Sequence, residues 1–222
     1  MRRTGVAPVA AAVSPGGQAS RLSPLPFSPW DRRLACPPSG NGIVRRGAAL
    51  APFHAMAESE APEYRVKAAF LYNFALLTEW PTNAFASANA PLVIGVLGTD
   101  PFGPGLEQTL RHRKIGPRPV RIARFARVEE VKGCQVLFIN PAEAAELPAI
   151  LAALAGRSIL TVGETENFAC HGGMIGLVRR ADSSIALRIN VDAVATANLK
   201  LSSKLLRLAT LVHTQPADGG AP

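Results

Sequence analysis

Cysteine is scarce: Cys36, Cys134 and Cys170 are the three in 222 residues. Three cysteines cannot build a disulfide scaffold. They form no C-x-x-C pair, and no histidine lies at metal-ligand spacing from them, so no zinc or redox motif is encoded and no metal site is expected. Aromatic residues make up 6% of the chain. No apolar run reaches the roughly 18 residues that a membrane-spanning helix needs. The catalytic signatures are missing too. There is no G-x-S-x-G and no S-x-x-K, and Cys170-His171 are adjacent, so in an extended segment their side chains point apart. Neither G-x-G-x-x-G nor G-K-[ST] occurs. Catalytic residues and cofactors are therefore both expected to be none.

The charge is uneven. Lys and Arg number 24 against 16 Asp and Glu, a formal +8. Residues 1–57 hold Arg2, Arg3, Arg21, Arg32, Arg33, Arg45 and Arg46 against Asp31 alone. Removing these seven bases and one acid leaves 17 and 15, a net +2 for the remainder. The basicity belongs to the leader, so it does not argue for a nucleic-acid partner.

Composition changes at the same place. Before residue 58 the apolar residues are mostly Ala, Pro and Gly without period, the pattern of a disordered leader. Its end resembles a secretory signal: Arg45-Arg46, a mildly apolar stretch from Gly47, and Ala55-Met56-Ala57 as an A-x-A cleavage site before Glu58. The sequence thus divides into a leader over 1–57, one domain over 58–212 and a disordered tail over 213–222. A start near Ile43 would place the signal at the N-terminus.

Within the domain, Pro62 to Trp80 reads as a helix with Val66, Phe70, Phe74 and Leu77 on one face and Pro81 as its stop. Strands are expected at Leu92–Leu97, Pro119–Phe125, Cys134–Ile139 and Ile159–Val162. Helices are expected at Leu106–His112 and at Pro141–Ala155, the latter closed by Gly156. Met174–Val178 and Ile185–Ile189, joined by six residues, read as an antiparallel hairpin. Val194, Leu201, Leu205, Leu208 and Val212 then suggest a long C-terminal helix over Val191–Val212. The fold class is α/β: a mostly parallel mixed sheet with helices on both faces, a C-terminal β-hairpin and a long C-terminal helix.

Two stretches invite a functional reading. The turn Gly98 to Gly103 follows the first strand, where Asp100, Phe102 and Gly103 are candidates for a ligand pocket. The competing reading is a tight turn capped by Asp100. Secondly, Arg111, Arg113, Lys114, Arg118, Arg121, Arg124 and Arg127 occur with no acid from Gln108 to Val128. Strand alternation makes part of this a charge-protected edge. The alternative is a docking surface for an acidic partner or anionic headgroups, with Arg111, Arg113, Arg118, Arg121 and Arg124 as the partner-binding candidates. Glu129-Glu130 and Glu164/Glu166 read as solvated surface carboxylates.

An ordered set of motifs resembles the YfiR family. It comprises Tyr64 to Phe74 with Glu79-Trp80-Pro81; Leu97 to Gly103; Cys134 to Ile139; Leu160-Thr161-Val162 with Phe168 and Gly172-Gly173-Met174-Ile175; and Ile189-Asn190 with Leu199 to Leu206. The resemblance implies a periplasmic, non-enzymatic α/β protein, often a homodimer. It also implies a partner, the periplasmic part of an inner-membrane GGDEF diguanylate cyclase, which such a protein binds and represses, lowering cyclic di-GMP and biofilm formation. A periplasmic small-molecule binding protein, using the cleft at the strand ends, is the alternative from a different class.

Overall fold

The computed structural model describes residues 55–214, with side chains described from residue 63. The leader up to residue 54 and the tail from 215 lie outside the described residues. Helix α1 spans Ala55–Leu76 and passes into a short strand, β1, at Thr78–Glu79. Then follow β2 (Leu92–Leu97), α2 (Pro104–Leu110), β3 (Lys114–Ile115), β4 (Arg118–Phe125) and β5 (Val136–Ile139). A 3-10 turn over Pro141–Glu146 leads into α3 (Leu147–Ala153), and β6 (Leu160–Gly163), β7 (Ile175–Arg179) and β8 (Ile185–Asn190) complete the central part. The last elements are α4 (Val191–Thr196), β9 (Lys200–Leu201), α5 (Ser203–Arg207) and β10 (Ala209–Val212).

Eight strands form one sheet in the order β10-β8-β7-β6-β5-β2-β4-β3. The pairs β10–β8, β7–β6, β6–β5, β5–β2 and β2–β4 are parallel. The pairs β7–β8 and β3–β4 are antiparallel. β2, β5 and β6 are continuous apolar runs because both faces of a parallel sheet are covered. On one face α1, α2, α4 and α5 pack over Ile94, Val96, Phe138 and Val162. On the other, α3 packs with Leu137, Ile139 and Phe168. Phe168 explains a glycine pair: its ring fills the space that a Cβ would take at both Gly163 and Gly173.

α1 differs from its sequence expectation in both end and face. It stops at Leu76 instead of Trp80, because the chain turns into β1, which pairs antiparallel with β9. The Thr78 hydroxyl donates to the Phe74 carbonyl at 2.7 Å, and Ser202 N–H donates to Leu77 O at 2.8 Å. The buried stripe is Ala68, Leu71, Phe74 and Ala75, whereas Val66 is half exposed.

The long C-terminal helix does not form. Asn190 caps α4 by accepting from the Asp192 and Ala193 N–H groups. Asn198 then takes a left-handed conformation, φ 56°, which ends that helix. Ser202 starts a second short helix as its cap. The final residues extend as β10 and pair with β8, from Ala209 opposite Leu187 to Val212 opposite Asn190. Leu208, expected on the buried stripe, is 75% exposed.

Candidate functional site

The C-terminal ends of β2, β4, β5 and β6 open on one side of the sheet, where ligand crevices of α/β folds lie. The first loop there is Gly98 to Gly103. Gly98 has φ 83° and its N–H donates to Phe125 O at 2.9 Å. A Cβ at Gly98 would collide with the Glu143 carboxylate. Asp100 accepts from the Phe102 N–H at 2.7 Å and from Arg124 Nε at 2.7 Å. Phe102 is buried, edge-on to Phe138 with ring centroids at 4.8 Å and to Tyr64 at 5.3 Å. Gly103, φ 51°, starts α2. The structure thus brings Asp100 to Arg124, and it sends the Phe102 ring into the core.

Beside that loop lies a buried ion network that the sequence reading missed. Lys67 is 5% exposed, at the inner side of α1. Its ammonium pairs with Glu63 at 2.6 Å and with Glu164, at the end of β6. The Tyr64 hydroxyl donates to Glu164 at 2.7 Å, and Arg179, at the end of β7, reaches Glu63 at 3.2 Å. These side chains line a cavity of about 260 Å³ with Pro141, Leu177 and Ile185. Glu164, read from sequence as solvated, has a side chain only 9% exposed. Its partners stand 97 and 100 positions away along the chain, so no local pattern could reveal it. The one legible hint was a lysine within an unusually apolar helix. Acids and bases alternate around the cavity, so the charges buried there are paired, as burial demands.

The arginine-rich stretch runs from the end of α2 along β4. Arg118 is committed to structure: it donates to the Ser87 and Ala90 carbonyls at 2.9 and 2.7 Å and lies over the Phe85 ring at 3.7 Å. Arg113 lies over the Tyr72 ring at 5.3 Å. Arg124 pairs with Asp100 at 2.7 Å and Glu107 at 2.5 Å. Hydrogen bonding to Glu107, reinforced by Asp100, raises its already high pKa, so it remains a fixed cation. Arg111 and Arg121 are exposed and form no ion pair among the described residues. Of the five candidates, Arg113, Arg118 and Arg124 are anchored and Arg111 and Arg121 point to solvent; beyond them Arg127 pairs with Glu130 at 3.3 Å.

Of the cysteines, Cys134 is a free, buried thiol before β5, and burial pushes its pKa up to about 12. Cys170, beyond the far end of β6, does not pair with Cys134. Among the described residues, no cluster of His, Cys, Asp and Glu could hold a metal ion.

Residues 64–210 match the family model described as YfiR/HmsC-like. The chain belongs to the YfiR/HmsC-like family. The matched span contains Tyr64, Lys67, Glu164 and Arg179 of the ion network, and the whole of the basic stretch. No curated protein matches the sequence. Among solved structures, the chain is similar to an ABC domain in complex with L-Trp from Streptococcus pneumonia, at 12% identity and a TM-score of 0.41. That similarity covers 55% of this chain and 55% of the other, so the chain spans about half the length of that protein.

Proposed function

We propose that this YfiR/HmsC-like protein is a periplasmic regulator that binds the periplasmic part of a membrane-bound GGDEF diguanylate cyclase and holds it inactive, lowering cyclic di-GMP and biofilm formation. The observation that carries the reading is the family match over residues 64–210. Export, with cleavage before Glu58, a mature domain over 58–212 and a homodimeric state belong to the same proposal. Among the described residues no helix is long and apolar enough to cross a membrane. A repressor needs no chemistry; it needs a surface that prefers one state of its target. Moving a cyclase from a 1:99 to a 99:1 inactive-to-active ratio requires a preference of about 5.5 kcal/mol. The basic stretch, with Arg111 and Arg121 in no ion pair among the described residues, supports a docking role for that surface.

Deleting the gene is expected to raise cellular cyclic di-GMP and surface attachment, and an exported copy to restore both. Unchanged cyclic di-GMP across several growth conditions would refute repression. The cavity lined by Glu63, Lys67, Glu164 and Arg179 favours a second reading, a periplasmic small-molecule binding protein. That reading would take over if deletion left cyclic di-GMP unchanged.

A further inference from the structure

β4 carries more than charge. The bond from Gly98 N–H to Phe125 O fixes its phase: the backbone of Phe125 turns toward β2. In a strand of period two, Ala123 and Arg121 do the same, while the N–H and C=O groups of Ile122 and Arg124 turn outward. Val120 is in the outward phase as well, and its N–H donates to Arg113 O at 3.0 Å beside β3. β3 pairs only with Arg118 and Pro119. Further on, the Ala126 N–H is met by the Glu130 carboxylate at 3.1 Å. Between these two closures, no described strand pairs with the outward groups of Ile122 and Arg124. Among the described residues the edge is open there.

A groove runs beside this opening. α2 and β4 bound a cavity of about 520 Å³ whose lining includes Pro104, Leu110, Val120 and Ile122, with Glu107 and Arg111 at its polar side. Glu107 is neutralised by Arg124. On the opposite face of the strand, Arg121 is exposed. A strand added to such an edge would place alternate side chains in the groove and the intervening ones over the Arg121 face.

We propose that the open edge of β4 receives an extended segment of the partner protein as an added strand, apolar residues alternating with acidic ones. Its main chain pairs with the outward groups of Ile122 and Arg124. Its apolar side chains enter the groove between α2 and β4, its carboxylates meet Arg121 on the opposite face, and an acidic residue at the end of the segment meets Arg111 at the polar rim of the groove. A second copy of this chain is a poor occupant, because edge-to-edge pairing would oppose Arg121, Arg124 and Arg127 of two molecules. An anionic membrane surface would use the charge but neither the backbone edge nor the groove. The assignment of the partner as a cyclase rests on the repressor reading; the mode of binding rests on the edge and the groove.

Random peptides displayed on phage, selected on the exported domain, test the mode directly. Enriched sequences are expected to alternate acidic and apolar residues. Titrated into isotope-labelled domain, they should shift the Ile122 and Arg124 amide signals and slow exchange of both amides. Ile122→Pro removes an outward N–H at an edge, where proline is tolerated, and should weaken binding about tenfold, while Ile122→Val should bind as wild type. If Ile122→Pro does not fold, Arg111→Glu combined with Arg121→Glu, both at exposed positions, supplies the same loss. The proposal is overturned if no peptide is enriched, if bound peptides leave the Ile122 and Arg124 amides unmoved, or if phosphatidylglycerol vesicles bind where peptides do not. In cells, a folded Ile122→Pro domain that still lowers cyclic di-GMP overturns strand addition and leaves repression standing. A deletion without effect on cyclic di-GMP removes repression, while the peptide result still decides the binding mode.

Discussion

The two edges of the sheet are built to opposite plans. At one end, β4 carries Arg118, Pro119, Arg121 and Arg124, is partly covered by the two-residue β3, and is closed further along by Glu130. At the other end, β10 is Ala209–Val212, a strand without charge or proline; Leu211 is 39% exposed and Leu208, just before it, 75%. Strand edges promote unplanned pairing, and charge, proline and short covers are the usual protections. The β4 edge has all three and still leaves Ile122 and Arg124 open, beside a groove and between unpaired arginines. An edge guarded against indiscriminate pairing but open over two residues selects its partner. Among the described residues the β10 edge has no such guard, and its exposed leucines favour apolar contact.

The largest effects should come from the residues that hold each edge in place. Phe102 packs against Tyr64 and Phe138 and anchors the loop that sets Asp100 under Arg124. Phe102→Ala should cost about 3–5 kcal/mol by chemical denaturation, and hydrogen exchange should quicken first at the end of β4. At the other edge, Asn190 is fully buried; it caps α4 and donates to Ala169 O at 2.7 Å and to Thr214 Oγ1 at 2.9 Å. Asn190→Ala leaves those partners short and should cost about 2–3 kcal/mol, with exchange quickening in β10. Identical exchange patterns in the two variants would show that the edges unfold as one unit, and the contrast drawn between them would then have no dynamic counterpart.

A smaller effect sharpens the contrast on the surface. Leu211→Lys adds to β10 the kind of guard that β4 already has. Stability should change by no more than about 0.5 kcal/mol, and concentration-dependent association, read by light scattering, should fall. Unchanged association would mean that the β10 edge is not the adhesive one.

Much of the architecture was legible because its signals are local. The apolar runs of β2, β5 and β6 announce a parallel sheet, and Gly156, at φ 74°, ends the segment of α3 as expected. The tail of the domain misled because Val194, Leu205 and Val212 keep helical spacing while sitting in three different elements. What breaks the helix is a left-handed Asn198 and the pairing of β10 with β8, a register fixed by distant residues. The basic stretch was visible as composition, but its division into anchored Arg113, Arg118 and Arg124 and free Arg111 and Arg121 depends on Tyr72, Phe85, Asp100 and Glu107, which only the fold assembles. The network of Glu63, Lys67 and Glu164 escaped for the same reason. Hydrophobic period reports burial of apolar side chains and is silent about a charge buried beside its partner.

The most direct test of the account compares the two edges in the cell. A strain lacking the gene is supplied with exported copies carrying either Arg111→Glu with Arg121→Glu or Leu211→Lys, each shown to be folded and equally abundant, and cyclic di-GMP is measured. The account predicts that the β4-edge variant leaves cyclic di-GMP as high as in the deletion strain, while the β10-edge variant restores the wild-type level. Full repression by the arginine reversals together with failure of Leu211→Lys would contradict it, and would move the partner surface to the opposite end of the sheet.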